Sequence, residues 1–338
     1  MYIDETLINR PVTMEDVESI TSLINVAEQS LNGCILVESA DEMRSEWEMP
    51  GWDNRLNTMA WFNGQEPIAY AEFYDLIKPT IRMNGWFRIH PDYENDNDLY
   101  ENMLDWFEKR SRQNLPTVPE GVRVVLHQGV YSTHTTAITQ LEKAGYQHVR
   151  SYYKMIIDLT DDLPEPVWPE GITIRALTEG DDETLYKLIQ VQQEAFKDHW
   201  GFVPDKIEAA VARWKHWLAN DPLTDITCLY MVEEGTQPVA SLFNWPRTSD
   251  DPRKGWSGSL GVLRPWRKHG LGRALLLHSF QEFKKRGLLR AGLGVDASNL
   301  TGALRLYEKA GMHVEQTTFT FEVELQPGKN LMTQTLES

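Results

Sequence analysis

The segment W-R-K-H-G-L-G-R, residues 266–273, gathers Arg267, Lys268, His269 and Arg273 around Gly270 and Gly272. Before it, Leu260 and Val262 alternate with Ser259 and Gly261, which predicts a strand over about 255–263. After it, A-L-L-L-H-S-F-Q-E-F-K-K predicts a helix over about 270–286. A helix start carries unpaired backbone N–H groups and the positive end of the peptide dipoles. Glycines let a ligand come close to that backbone. Strand, glycine turn and helix start in this order make a cradle for a diphosphate. The same residues also fit a tight turn with solvated basic side chains, and the pattern is neither GxxxxGK[ST] nor GxGxxG.

The elements that must position this segment recur. Residues 161–170, D-D-L-P-E-P-V-W-P-E, are acidic with three prolines and read as a linker. On either side of it three stretches match in the same order. L-I-N-R-P-V-T-M-E-D-V-E-S-I-T-S-L-I (7–24) resembles I-T-I-R-A-L-T-E-G-D-D-E-T-L-Y-K-L-I (172–189), each a strand, a polar turn and an amphipathic helix. Residues 59–76 resemble 229–246, each a hairpin whose second strand opens on Pro67 or Pro238. Residues 136–146 resemble 302–312, each a short helix ended by glycine. Collinear matches imply a duplicated unit of about 160 residues. The expected units are 1–160 and 171–338.

In the second unit the pattern predicts strands near 171–176, 226–232, 238–246, 255–263 and 289–296. Helices are predicted near 181–196, 204–219, 270–286 and 300–309, and two closing strands within 312–325. The fold class is α+β: a central mixed, mostly antiparallel sheet flanked by helices, built twice.

The 338-residue chain carries 50 acidic and 33 basic residues, a net charge of −17, which argues against nucleic acid and would favour cationic small molecules. Cys34 and Cys228 are the only cysteines, so there is no disulfide framework, and the histidines lack HxxxH-type spacing, so no metal is implied. The opening M-Y-I-D-E-T-L-I-N-R lacks a basic-then-apolar leader, and no run approaches the roughly 20 apolar residues of a membrane span. A cytoplasmic protein is the expectation, either monomer or homodimer.

V-L-R-P-W-R-K-H-G-L-G-R-A resembles motif A of the GNAT acyltransferases, whose core is (R/Q)-x-x-G-x-(G/A). V-D-A-S-N-L-T-G-A-L-R-L-Y-E-K-A-G-M (295–312) resembles their motif B, and the tandem layout is similar to mycothiol synthase and related double-GNAT proteins. The resemblance implies acetyl-CoA as donor and an N-acetyltransferase acting on a small-molecule primary amine. A peptide or protein acceptor, or a non-catalytic acyl-CoA sensor, stays open beside it. It implies that Arg267, Lys268, His269, Gly270, Leu271, Gly272 and Arg273 surround the pyrophosphate. The strand edge at Leu260, Gly261 and Val262 would pair with the pantetheine arm, which Asn299 would also touch. Tyr307 would protonate the leaving thiolate. The strand 254–263 lacks the glutamate that many family members place there as base. Glu194, Asp198, His199 and Asp296 are candidates, His199 foremost for acceptor binding or proton transfer, with a water chain as a further route.

The first unit departs from this pattern. Glu94 stands where Arg267 does, Asn97 and Leu99 replace the glycines, Asp92, Asp96 and Asp98 add charge, and Leu141 replaces Tyr307. It reads as a degenerate copy, with Trp47, Trp52 and Trp61 either core or part of another ligand site.

Overall fold

The computed structural model describes residues 7–34, 36–299 and 302–333. The opening six residues of the expected leader-free start, Leu300 and Thr301 of the second motif, and the last five residues of the second expected unit lie outside them.

The chain divides into two compact units, one of residues up to Ser151 with Thr318–Leu331, the other of Tyr152–Thr317 with the segment from Met332. In chain order the elements are β1 (Leu7–Arg10), α1 (Val17–Asn32), α2 (Ala40–Trp47), α3 (Asn54–Asn57), β2 (Thr58–Asn63), β3 (Glu66–Tyr74), β4 (Arg82–Ile89), α4 (Asn97–Arg112), β5 (Val124–Tyr131), α5 (Thr135–Lys143) and β6 (Gln147–Asp158). The second repeat continues with β7 (Ile172–Ala176), α6 (Asp182–Phe196), α7 (Ile207–Asn220), β8 (Leu229–Glu234), β9 (Gln237–Trp245), β10 (Lys254–Val262), α8 (Leu271–Lys285), β11 (Arg290–Asp296), α9 (Ala303–Lys309) and β12 (His313–Gln326).

The three repeated stretches fold alike, as β1–α1 and β7–α6, β2–β3 and β8–β9, α5 and α9. Strand order in the first unit is β1-β2-β3-β4-β5-β12, and in the second β7-β8-β9-β10-β11-β6. Each set is antiparallel except for one parallel pair, β4 with β5 or β10 with β11.

This order corrects the contiguous boundaries expected from sequence. Tyr152–Asp158 of β6 pairs with β11, and Thr318–Gln326 of β12 pairs with β5, so each unit is closed by a strand of the other repeat. The pairing is set by long-range ladders that local alternation does not encode. Residues 161–170 carry no regular element and belong to the second unit, held to α8 by Gln281 donating to Leu163 O at 3.3 Å and by Lys284 paired with Asp161 at 2.7 Å. The closing part is one long strand, β12, rather than two.

In the second unit, α8 buries Leu271, Ala274, Leu275, Leu276, Leu277, Ser279, Phe280 and Phe283, so it is covered on more than one face. It stops at Gly287 (φ +79°), where Leu288 N–H returns to Phe283 O at 3.0 Å. On β10 glycine is required where neighbours press closest. A Cβ on Gly255 would lie 2.4 Å from the Phe283 ring, and one on Gly258 would lie 1.7 Å from Trp245. Gly258→Ala is therefore expected to destabilise the protein by about 1–3 kcal/mol. A urea melt reads this as a lower midpoint with unchanged slope.

Candidate active site

The ladder between β10 and β11 runs from Lys254↔Arg290 to Ser257↔Leu293 and ends there. A bulge on the β9 side between Ser257 and Ser259 turns the strand at the same point. From Ser259 to Val262, β10 keeps β9 as its ladder partner and has none on its other edge among the described residues. The end of this ladder leaves the backbone edge of Leu260, Gly261 and Val262 without a β11 partner. Leu260 and Val262 pack on the α8 side. Gly261 faces α6: a Cβ there would meet Ala195 Cβ at 2.9 Å and the Phe196 ring at 3.1 Å, so the absent side chain is what lets α6 approach.

Beyond β10 the chain makes a short 3-10 turn at Arg264–Trp266 and reaches the glycine loop. Lys268 has φ +67° and Gly270 φ +87°, left-handed positions that curl consecutive amides toward one side. Arg273 and Ala274 N–H both return to Gly270 O, at 3.1 and 3.0 Å. The amides of Lys268, His269, Gly270, Leu271 and Gly272 find no protein acceptor among the described residues. No heavy atom lies within 4 Å of where a Gly270 Cβ would stand. Lys268, His269 and Arg273 are exposed beside these amides, and Lys268 and Arg273 form no ion pair among the described residues. Unspent amides, a helix start and free cations are what a diphosphate needs.

Arg267, expected beside the pyrophosphate, is engaged within the protein. Its guanidinium turns away from the loop and donates to Val262 O (2.9 Å), Ala195 O (2.8 Å) and Asp198 (2.6 Å). Arg264 joins it on Asp198 at 2.6 Å. Arg267 is thus a strut between the loop and the end of α6, because a nearly buried carboxylate outcompetes solvent for it. Burial raises the Asp198 pKa, but hydrogen bonds from the two arginines outweigh burial and hold it below the usual carboxylate range. Asp198 is engaged as the ion-pair partner of both arginines. Glu194 is exposed and paired with Lys197.

His199 follows on the corner between α6 and α7, half-buried, its ring 4.3 Å from Phe196. Burial, then Arg267, lowers its pKa below the ordinary imidazole value against the opposing pull of Asp296 and Asp198. The imidazole is therefore neutral at neutral pH and able to take a proton. Asp296 closes β11, where its carboxylate accepts from Ser298 N–H at 2.9 Å. The sequence candidates His199, Arg267 and Asp296 thus stand within electrostatic reach of one another.

Tyr307 lies on α9, whose neighbouring Leu306 is 3.6 Å from where a Gly272 Cβ would be, so the phenol's helix sits against the glycine loop. The ring packs with Leu276, Phe280 and Met312, and burial pushes its pKa up to about 12. Its hydroxyl makes no hydrogen bond among the described residues. Asn299 accepts from the N–H of Ala303, the first residue of α9, at 3.3 Å.

The first unit is built differently at the matching place. Asp96 accepts from Leu99 N–H at 3.0 Å and fills the start of α4 with its own carboxylate. Asp96 N–H returns to Tyr93 O at 3.0 Å, and Glu94 takes the Tyr100 hydroxyl at 2.8 Å. The ladder of β4 with β5 also ends early, at Gly85↔Gln128. Beyond it a buried Arg88–Glu28 pair, with Tyr131 donating to Glu28 at 3.0 Å, occupies the corresponding face. Trp47 and Trp61 are core, Trp47 bonded to Tyr70 at 3.0 Å, and Trp52 packs on Tyr74 at 5.1 Å.

A crevice of about 810 Å³ in the second unit lies around Asp225, Arg286 and Leu288, past the C-terminal end of α8 and so away from the glycine loop. Its cations are already engaged, Lys215 with Asp182 and Arg286 with Asp225. Among the described residues no helix is long and apolar enough to cross a membrane, and no three His, Cys, Asp or Glu side chains are grouped to hold a metal.

Sequence reasoning missed the Asp198 clamp and a contact at the chain's far end, where Thr333 meets the His199 corner. Neither has a local signature, since each joins residues more than 60 positions apart.

Comparison with known proteins adds an independent line. The profile described as "Acetyltransferase (GNAT) family" matches residues 185–312. A mycothiol acetyltransferase of Thermobispora bispora is 31% identical over 259 residues, covering 74% of this chain and 78% of that protein. Against two further curated mycothiol acetyltransferases the chain spans about half of their length, 50% and 53%. A GCN5-related N-acetyltransferase from Sphaerobacter thermophilus superposes with a TM-score of 0.77 at 29% identity, covering 99% of this chain and 100% of that one. A tandem GNAT protein from the clavulanic acid biosynthesis pathway shares the fold, with a TM-score of 0.69 at 12% identity over 96% of this chain and 100% of that one.

Proposed function

This chain belongs to the GNAT acetyltransferase family, and from that premise we propose that it transfers an acetyl group from acetyl-CoA to the primary amine of a small molecule, by direct attack in the second unit. The observation that carries the reading is the run of five unspent amides at the start of α8, placed after the end of the β10–β11 ladder. The amides and the helix dipole take the diphosphate, with Lys268 and Arg273 adding charge. The free edge of β10 takes the pantetheine arm as an added strand, and the thioester lies beside that edge.

The amine nitrogen attacks the thioester carbonyl, forming a C–N bond as the C–S bond breaks. Its proton passes to neutral His199, directly or through water, and the departing thiolate takes the Tyr307 proton. Asn299, which accepts from Ala303 N–H at the start of α9, touches the cofactor arm. In the first unit Asp96, Glu94 and the Arg88–Glu28 pair fill the matching positions, which supports a copy that keeps the fold and holds no acetyl-CoA. The name mycothiol acetyltransferase on curated relatives supports a small-molecule acceptor. A screen of polyamines, aminoglycosides, amino acids and cysteinyl conjugates for release of the CoA thiol tests the reading. Turnover with at least one of these amines is the expected result, and acetyl-CoA left intact by all of them would refute it.

A further inference from the structure

Three hydrogen bonds tie Thr333 to the corner that carries His199. Thr333 O accepts from Gly201 N–H at 2.8 Å, Thr333 N–H donates to Phe202 O at 3.3 Å, and Thr333 Oγ1 donates to Lys197 O at 2.8 Å. Met332 beside it is buried at 5% exposure, so the strap is anchored by packing as well. The corner itself has no regular element between Phe196 and Ile207. Besides the turn bonds of His199 N–H to Phe196 O (2.9 Å) and Phe202 N–H to His199 O (3.1 Å), two long-range contacts flank His199: the Asp198 clamp from Arg264 and Arg267, and the Thr333 strap on residues 197, 201 and 202. The clamp alone holds one residue. The strap holds the chain on both sides of His199.

Building on the acetyltransferase reading above, we propose that Thr333 is a positioning residue, which sets where the His199 imidazole stands and so governs amine binding and proton removal. It touches no reacting atom. The charged groups facing His199 are Asp198 on its own segment, Arg267 of the glycine loop and Asp296 at the end of β11. None of these is on the strap. Loosening Thr333 moves the imidazole within that field, so both its distance to the amine and its titration change. Among the described residues the diphosphate loop 268–272 has no hydrogen bond to the strap, so acetyl-CoA binding is expected to change far less than amine binding.

The test uses the full chain with acetyl-CoA and the most active of spermidine, kanamycin, L-lysine and cysteinylglycine. Thr333→Ala removes the Oγ1 bond and leaves the backbone pair. Thr333→Pro removes the N–H donor as well. Thr333→Ser restores the hydroxyl. The expected result is a rise in the amine KM of about fivefold for Thr333→Ala and more for Thr333→Pro, on the scale of one hydrogen bond each. The acid limb of kcat/KM should move in both, Thr333→Ser should match wild type, and the acetyl-CoA KM should stay constant in all three. Should Thr333→Pro fail to fold, Thr333→Ala and Thr333→Ser still decide the matter. An unchanged amine KM and acid limb in Thr333→Ala, with wild type active, would overturn the strap and leave the acetyltransferase reading standing. Wild type inactive on every amine would remove both.

Discussion

Replacing Gly270 and Gly272 together with tryptophan is expected to abolish the thermal stabilisation that acetyl-CoA gives the wild-type protein. At a ligand concentration about a hundredfold above Kd, binding to the native state adds about 2.7 kcal/mol. For units of this size that corresponds to a rise in Tm of roughly 5 to 10 °C. Gly270 sits at φ +87°, which an L side chain adopts only with strain, and the space over it is open, so a large ring there covers the amides. Gly272 borders Leu306 at 3.6 Å, and a ring there pushes against the helix of Tyr307. The double variant loses its ligand by losing access to the backbone, not by losing charge. A shift that survives the double substitution, or that disappears on changing residues 92–99 of the first unit, would place the diphosphate elsewhere.

Tyr307→Phe is expected to keep acetyl-CoA binding and fold stability while lowering kcat by about a hundredfold, the lower end of what a positioned proton donor contributes. The lower end applies because a thiolate is already a fair leaving group. Stability should hold within about 0.5 kcal/mol, since phenylalanine preserves the packing and the hydroxyl has no partner to lose among the described residues. The pH profile gives the sign. Burial pushes the phenol up to about 12, so it stays protonated throughout an assay between pH 6 and 10. The kcat deficit should therefore be constant across that range. His199 behaves oppositely: burial and Arg267 lower its pKa, so activity should fall only below the ordinary imidazole value, in wild type and Tyr307→Phe alike. Unchanged turnover in Tyr307→Phe would exclude the phenol as the acid.

The repeat, the α+β class and the glycine loop were legible because their signals are local. Alternation at Ser259–Val262, the apolar run of α8 and the terminal glycines each act within a few residues. The contrast of Arg267-Lys268-His269-Gly270 with the acidic 92–99 stretch was legible too, and Asp96 capping its own helix gives that contrast its geometry. What the sequence hid is long-range. The trade of β6 and β12 between repeats is defined by ladders to β11 and β5, partners far from them in the sequence. Arg267 looked like a phosphate ligand because its motif position is basic. Only the approach of Asp198 and Ala195 O turns it inward. Thr333 carried no signal at all, since its hydrogen bonds go mostly to main-chain groups that any residue type would offer.

The measurement that bears most directly on the account is the stoichiometry of acetyl-CoA binding by titration calorimetry on the full chain. One site per chain is the expected result, lost when Gly270 and Gly272 carry bulky side chains. Two sites per chain, or one that survives those substitutions, would contradict the assignment of the cradle to the start of α8.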